Sequence, residues 1–107
     1  MLTLERPYSH SDEDARERLR ALTEYWSTKH GLTIEWESES EVHLSGRVMR
    51  VSFDGRVTVK DGLIRANVDA GRLAEKLGAR GYVERKLNNY LDPANSLESL
   101  RAKIPPK

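Results

Sequence analysis

The apolar residues near the start of the chain alternate first with a period of two and then recur with the period of a helix. Leu2 and Leu4 alternate with polar residues and are followed by Pro7, a pattern that predicts a short strand. From Ser11 onward, apolar side chains recur every three or four residues. These positions form the stripe of an amphipathic helix and are Ala15, Leu19, Leu22 and Trp26.

The predicted helix carries signals for both of its ends. Ser11 is a preferred N-cap residue, and the acidic residues after it suit the positive end of the helix dipole. Asp14 precedes Arg18 by about one turn, the favourable orientation for an ion pair on a helix surface. Gly31 can take the left-handed conformation that ends a helix, so we expect the helix to end at His30.

Two strands are predicted after this helix. In the first, apolar residues alternate with polar ones at Leu32, Ile34 and Trp36. The polar run ESESE then predicts a turn. Val42 and Leu44 continue the alternation, and the Ser45-Gly46 pair predicts the end of the second strand.

Asp-Gly occurs twice in the middle of the chain, and this pair is typical of tight hairpin turns. A two-residue turn at Asp61-Gly62 places Val59 opposite Ile64, so that apolar residues pair across the hairpin. We therefore expect a turn there, followed by a strand whose inner residues are Ile64, Ala66 and Val68.

The same pairing test disfavours a two-residue turn at Asp54-Gly55, because Val57 would then face Ser52. A three-residue loop beginning at Phe53 restores the register, so a hairpin stays an alternative. The simpler interpretation, which we favour, is one long strand in which Gly55 marks a bend. Its apolar face then consists of odd-numbered residues: Met49, Val51, Phe53, Gly55, Val57 and Val59.

The remainder of the chain predicts helices. Leu73 and Leu77 indicate a short helical turn. A second amphipathic helix ends before Pro93, and its apolar stripe consists of Val83, Leu87 and Leu91, flanked by Tyr82 and Tyr90. Asn95 is the expected cap of a short last helix that carries Leu97, Leu100 and Ile104.

This order of elements predicts the fold class. Adjacent strands joined by tight turns form an antiparallel sheet, and two amphipathic helices must cover its apolar face. We therefore predict an α+β fold with a curved antiparallel sheet of about four to five strands and both helices on one face. Residues 1–92 are expected to form a single domain, and residues 93–107 add the short C-terminal helix and a tail.

The composition is typical of a folded protein. A net charge of +1 and a hydrophobic content of 37% differ from the composition of disordered chains. The absence of cysteine excludes disulfides and thiolate metal sites. Glu5 and Arg6 interrupt the apolar run that a signal peptide would need, and no window is apolar enough to span a bilayer. We expect a cytoplasmic protein.

Charge is unevenly distributed along the chain. Residues 1–45 carry ten acidic and five basic side chains, whereas residues 46–107 carry seven acidic and thirteen basic ones. The basic half can bind a polyanion, but we favour the interpretation that the two halves face each other within one fold. The predicted polar face of the sheet also lacks aromatic residues on which nucleic-acid bases stack, so nucleic-acid binding is disfavoured. Its charged residues are Arg50, Arg56, Lys60 and Arg65, beside Glu35, Glu37 and Glu41.

The polar residues form no recognisable catalytic or metal-binding motif. The three histidines lack the spacing of metal ligands, and no cofactor is predicted. We expect His10 to donate a local hydrogen bond, His30 to interact with the end of a helix, and His43 to be solvated. Ser9, His10 and Asp12 are the residue types of a hydrolytic triad, but sequence neighbours rarely converge as one. We predict that the protein is not an enzyme.

Four segments occur in a defined order over residues 2–92: ERPYSHSDEDARERL, KHGLTIEWE, FDGRVTVKDGLIRANV and YVERKLNNYLD. This order resembles the family of small putative polyhydroxyalkanoic acid system proteins of bacteria. The resemblance implies an association with polyester storage, because genes of this family accompany polyhydroxyalkanoate synthesis or use and some members are found at granules. It implies no catalytic residues, and it supports a bend at Gly55.

The function predicted from this resemblance is a non-enzymatic accessory protein that binds the granule surface or a protein on it. An exposed apolar stripe can contact such a surface, and the candidate residues are Leu97, Leu100 and Ile104. The same stripe can instead pack on the protein's own core or on a second copy of the chain, and we favour this structural interpretation.

Two further hypotheses remain. The protein can act as a carrier of a small apolar ligand, such as an acyl chain, in a cleft between the sheet and the second helix. The residues predicted to border this cleft are Trp36, Phe53, Tyr82 and Leu87. Alternatively, the basic second half can bind nucleic acid or an acidic protein.

Overall fold

In the part of the chain that the structure describes, five antiparallel strands form one open sheet, and two long helices pack against one of its faces. The structure is a computed structural model that describes residues 2–48, 51–69, 71 and 78–104. The strands are β1 (Leu2–Pro7), β2 (Thr33–Trp36), β3 (Glu41–Val48), β4 (Val51–Lys60) and β5 (Leu63–Asp69). The helices are α1 (Asp12–His30), α2 (Ala79–Leu91) and α3 (Leu97–Arg101).

The strands lie in the order β1-β5-β4-β3-β2, so the first strand pairs with the last one. Leu4 of β1 lies opposite Ala66 of β5, and both side chains are buried. The described elements and their antiparallel pairing confirm the predicted α+β fold.

β4 runs through Asp54-Gly55 without a turn, which confirms the long-strand interpretation. Gly55 lies opposite Leu44 of β3 and Val68 of β5. A Cβ atom on Gly55 would lie 3.3 Å from the carbonyl oxygen of Asn67 and 3.3 Å from Cγ2 of Val68. The glycine therefore allows β5 to lie close to the middle of β4.

The hairpin at Asp61-Gly62 has the predicted register, with Val59 opposite Ile64. Asp61 has a φ of 54° and Gly62 has a φ of 76°. Two successive positive angles are typical of a type I′ turn, whose twist matches that of the flanking strands. Val57 and Val59 lie on the inner face of the sheet, with exposed fractions of 4% and 0%.

The predicted end of β3 at Ser45-Gly46 is wrong, because the strand continues to Val48. Gly46 pairs with Phe53 of β4 and has a φ of 148°, which only glycine adopts readily. A Cβ atom on Gly46 would lie 2.8 Å from Cδ2 of Leu32. Gly46 therefore leaves space for the Leu32 side chain without ending the strand. A glycine inside a strand and a glycine that ends a strand look alike in the sequence, which explains the wrong prediction.

Both ends of α1 form as predicted. The Oγ atom of Ser11 accepts a 3.1 Å hydrogen bond from the backbone N–H of Asp14, and Gly31 is left-handed with a φ of 72°. Arg18 Nε lies 3.1 Å from Asp14 Oδ2, which completes the predicted ion pair. The predicted apolar stripe is buried at Ala15, Leu19, Leu22 and Trp26.

The cap of α3 lies one residue after the predicted position. Ser96 accepts the capping hydrogen bond, from the backbone N–H of Ser99 at 3.1 Å. The amide of Asn95 instead donates to the carbonyl oxygen of Asn89 at 2.9 Å, so Asn95 ties the loop before α3 to α2.

Several predictions fall outside the described residues. These are the helical turn at Leu73 and Leu77 and the positions of Met49 and Arg50. Among the described helices, none has the combination of length and apolar content that crossing a membrane requires.

Candidate functional site: an apolar cavity beneath two helices

A cavity of about 150 Å³ lies between the inner face of the sheet and the two long helices, and it is partly open to solvent. Its wall is almost entirely apolar. The described residues that line it are Leu19, Trp26, His30, Leu32, Leu44, Phe53, Gly55, Val57, Ala66, Val68, Tyr82, Val83 and Leu87.

Small residues in the centre of the sheet explain why this space is not filled. Gly55 has no side chain, and Ala66 on the neighbouring strand has only a methyl group. Larger side chains surround them, including Leu44 and Val68 on either side of Gly55. The two small residues therefore leave space between the sheet and the helix residues that line the cavity from above, among them Leu19 and Leu87.

Three of the four residues predicted to border a ligand cleft meet at this cavity: Phe53, Tyr82 and Leu87. The structure does not bring Trp36 to it. Trp36 lies on the edge strand β2, where the guanidinium carbon of Arg20 is 4.2 Å from its ring centroid. Side-chain parity correctly placed Trp36 on the inner face, but parity does not specify which strand lies beneath the gap between the helices.

Two aromatic residues join the helices above the cavity. Trp26 Nε1 of α1 donates a 3.2 Å hydrogen bond to the hydroxyl oxygen of Tyr82 on α2. Both rings contribute to the cavity wall. The hydrogen bond satisfies the indole N–H in an otherwise apolar environment, where an unpaired donor would be costly.

His30 is a polar residue of the cavity wall that the sequence did not identify as a site residue. Its position in the last turn of α1 predicted only an interaction with the end of that helix. Burial lowers the pKa of the His30 imidazole, and the ammonium groups of Lys29 and Lys86 lower it further. The imidazole is therefore neutral at pH 7.

Two lysines and a tyrosine form a cluster beside this residue, which we call the lysine–tyrosine cluster: Tyr25, Lys29 and Lys86. Lys86 Nζ lies 4.5 Å from the ring centroid of Tyr25 and 5.9 Å from that of Tyr82. Lys29 Nζ lies 5.4 Å from the Tyr25 centroid. A hydrogen bond with Lys29 lowers the pKa of the Tyr25 phenol, against the opposing effect of burial, and Lys86 adds to the lowering.

The residues predicted to contact a partner lie at the other end of the core. Leu100 of α3 is completely buried, and Leu97 and Ile104 are half-buried against the same core. Arg101 Nη2 lies 2.8 Å from Glu17 Oε2, so a surface ion pair also joins α3 to α1. The packing of Leu100 agrees with the structural interpretation of this stripe. A role of Leu97 and Ile104 in contacting a partner, or a second copy of the chain, stays a prediction.

The outer face of the sheet carries the opposite charges that its sequence predicted. Arg56 Nη1 lies 2.7 Å from Glu37 Oε2 and 3.4 Å from Glu41 Oε2. Arg65 Nη2 lies 2.9 Å from Glu5 Oε2. These pairs join neighbouring strands and balance much of the positive charge on this face.

His43 also lies on the outer face, where the sequence predicted a solvated imidazole. Its Nε2 atom lies 3.1 Å from Asp54 Oδ1 on β4, and its side chain is 22% exposed. The imidazole therefore belongs to the same set of cross-strand polar contacts.

The family model of the putative polyhydroxyalkanoic acid system proteins matches residues 2–94. The matched segment contains all five strands and both α1 and α2, and it confirms the resemblance carried by the four sequence segments. No curated protein and no solved structure matches the chain.

Proposed function

Because the chain belongs to the family of putative polyhydroxyalkanoic acid system proteins, we propose that it is a non-enzymatic accessory protein of polyhydroxyalkanoate storage that binds an apolar chain in its cavity. It performs this role in the cytoplasm, at or near the surface of the storage granule.

The cavity is the observation that supports a binding role. Engineered cavities of about 150 Å³ with apolar walls bind benzene, a molecule of six carbons. A short alkyl chain of similar carbon number therefore suits the volume seen here. Burial of about five methylene groups contributes roughly 4 kcal/mol, which corresponds to a dissociation constant on the order of 1 mM.

The chemistry of the wall supports binding over catalysis. Among the described residues that line the cavity, the polar side-chain atoms belong to His30, Trp26 and Tyr82, and none is a carboxylate. The indole N–H and the tyrosine hydroxyl oxygen are bonded to each other. General acid–base catalysis commonly uses one group that accepts a proton and a second group, with a different pKa, that donates one. The described residues of this wall provide a single imidazole, that of His30, and no carboxylate beside it.

The cavity supports the proposal better than the C-terminal stripe does. Leu100, the centre of that stripe, contributes its side chain to the protein's own core. A stripe that exposes only its flanking residues has little apolar area to offer to a polyester surface. The cavity, in contrast, keeps its apolar wall partly open to solvent.

A direct binding measurement tests the proposal. The chain has two tryptophans, and the variant Trp36→Phe leaves Trp26 of the cavity wall as the single fluorescent indole. Titration of this variant with hexan-1-ol is expected to change the Trp26 emission in a saturable way. The same titration of a double variant that adds Val83→Phe is expected to show weaker binding, because the larger ring occupies part of the cavity.

The matched control adds Ile34→Phe instead, an enlargement of a half-buried side chain outside the cavity wall. It should leave hexan-1-ol binding unchanged. Absence of saturable binding, or equal weakening by both enlargements, would refute the cavity as a binding site. The proposed location is tested separately with a fluorescent fusion in polymer-accumulating cells, where diffuse fluorescence would contradict it.

A further inference from the structure

The positive charge beside the cavity indicates what kind of chain it accepts. Lys86 lies one turn after Tyr82 on α2, with its Nζ atom 5.9 Å from the centroid of that ring, and Tyr82 lines the cavity. Lys29 precedes His30, which lines the cavity from α1. Both ammonium groups also lie near one ring, with Lys86 Nζ 4.5 Å and Lys29 Nζ 5.4 Å from the centroid of Tyr25.

Among the residues that the structure describes, the two ammonium groups lie on tyrosine rings and form no ion pair with a carboxylate. Glu84, two residues before Lys86 on α2, pairs with arginines instead. Its Oε2 atom lies 3.9 Å from Arg6 Nη2, and its Oε1 atom lies 3.9 Å from Arg80 Nη1. Lys86 instead lies over the Tyr25 ring at 4.5 Å, and Lys29 lies over it at 5.4 Å. Two like charges on one neutral ring form a site that attracts an anion, because an anion offsets the repulsion between them.

We propose that the ligand of the cavity is a short-chain monocarboxylate, whose alkyl chain occupies the apolar space and whose carboxylate is bound by Lys86 and Lys29 of the lysine–tyrosine cluster. This inference rests on the proposed function, and it adds the class of ligand. His30 lines the cavity, and the N–H of its neutral imidazole can also donate to the carboxylate. A carboxylate accepts several such hydrogen bonds, and charge-assisted ones are stronger than neutral ones.

The volume of the cavity limits the length of the ligand's chain, and the charge beside it determines the head group. The cavity accommodates about six carbons, so a long lipid chain does not fit within it. A neutral alcohol of the same length fills the same space but lacks the negative charge that the two ammonium groups attract. The difference in affinity between hexanoate and hexan-1-ol therefore measures the net contribution of the charge on the head group, through its contacts with the lysine–tyrosine cluster and His30.

The experiment compares these two probes on the Trp36→Phe protein by Trp26 fluorescence, at low salt and neutral pH. Hexanoate is expected to bind about tenfold more tightly than hexan-1-ol, the effect of a partly shielded charge-assisted contact. The variant Lys86→Met is expected to weaken hexanoate binding by about threefold or more, because Lys29 stays, and to change hexan-1-ol binding by less than about twofold. Raising the salt concentration should weaken hexanoate binding only.

Lys60→Met is the matched control, because it removes one exposed lysine from the last position of β4, outside the cavity wall and the cluster. It should change neither affinity by more than about twofold. Equal binding of both probes to the parent protein would overturn the carboxylate inference and leave the proposed apolar binding intact. Equal weakening of both probes by Lys86→Met would overturn it as well, because it would assign Lys86 a structural role. Failure of both probes to bind would overturn the proposed function itself.

Discussion

Arg18 Nη1 of α1 donates a 2.8 Å hydrogen bond to the main-chain carbonyl oxygen of Tyr90, in the last turn of α2. The same atom lies 3.3 Å from the carbonyl oxygen of Asp92. His10 Nε2 lies 2.8 Å from the carbonyl oxygen of Leu91 and donates to it, since a carbonyl oxygen only accepts. α2 has no basic residue in its own last turn, so residues at the start of α1 satisfy the carbonyl groups at its end.

This contact predicts a large loss of stability for Arg18→Met. Arg18 is only 5% exposed, and its removal takes the donor from the carbonyl oxygens of Tyr90 and Asp92. The Asp14 carboxylate also loses one of its two partners and keeps His10 Nδ1 at 2.9 Å. We expect the free energy of unfolding to fall by about 2–4 kcal/mol, measured by urea denaturation.

The control for this experiment is Arg65→Met, which breaks the exposed 2.9 Å pair with Glu5 on the outer face of the sheet. Exposed pairs contribute at most about 1 kcal/mol, so the control should lose much less stability. Equal losses in the two variants would show that the contact between α1 and α2 does not stabilise the fold.

The two glycines of neighbouring strands predict different responses to alanine. Gly46→Ala forces a residue with a side chain to adopt a φ of 148° and places its Cβ atom 2.8 Å from Leu32 Cδ2. We expect it to lower the free energy of unfolding by about 2 kcal/mol or more. Gly55→Ala keeps an ordinary strand conformation and has contacts of 3.3 Å, so its cost in a thermal unfolding experiment should be smaller. The reverse order would contradict the close packing of Leu32 against Gly46.

Because the pKa of His30 is lowered in the folded protein, we expect the protein to become less stable as the pH falls. Its pKa is lowered in the folded protein by burial and by Lys29 and Lys86, whereas in the unfolded chain it has its usual value of about 6.5. Below that pH the unfolded chain binds a proton that the folded protein does not yet bind, so stability decreases as the pH falls through this range. We expect His30→Gln to make the free energy of unfolding less dependent on pH between about 7.5 and 5.

NMR titration of the His30 ring provides the direct measurement, and Lys86→Met provides the control. Removal of one ammonium group should move the His30 pKa part of the way towards its usual value, because burial is the larger cause of the lowering. A His30 resonance that titrates above pH 6.5 would contradict both the burial and the proximity of the lysines.

The fold followed from the sequence wherever a short-range pattern determined it. The hairpin register at Asp61-Gly62 required only that Val59 and Ile64 share a face, and the structure has this pairing. The cavity was only partly predictable. Phe53 was placed on the correct face by parity, but the position of the gap depends on how the two helices cross the sheet, which no local pattern encodes.

The lysine–tyrosine cluster was not predicted, because its members come from two helices that are distant in the sequence. Nothing in the sequence around Lys29 or Lys86 distinguishes either residue from an ordinary solvated lysine of an amphipathic helix. Lys29 lies one turn after Tyr25 on α1, but only the packing of α1 beside α2 brings the Lys86 ammonium group to the same ring. The family resemblance supplied the association with polyester storage, which residue chemistry alone does not contain.

We expect changes in the C-terminal helix to lower the stability of the protein without abolishing its association with granules. Leu100 has an exposed fraction of 0% within the core, so Leu100→Ala should lower the free energy of unfolding by about 2–5 kcal/mol. Removal of residues 94–107 should lower the melting temperature for the same reason, because it removes Leu100 together with the Arg101–Glu17 pair. If the cavity mediates binding, the truncated chain that remains folded should still associate with granules in a co-sedimentation assay.

The variant Leu97→Ser tests the alternative, that the terminal stripe contacts the granule, at a half-buried position where the loss of stability is smaller. Loss of granule association by a folded Leu97→Ser protein would show that the terminal stripe, and not the cavity, contacts the granule.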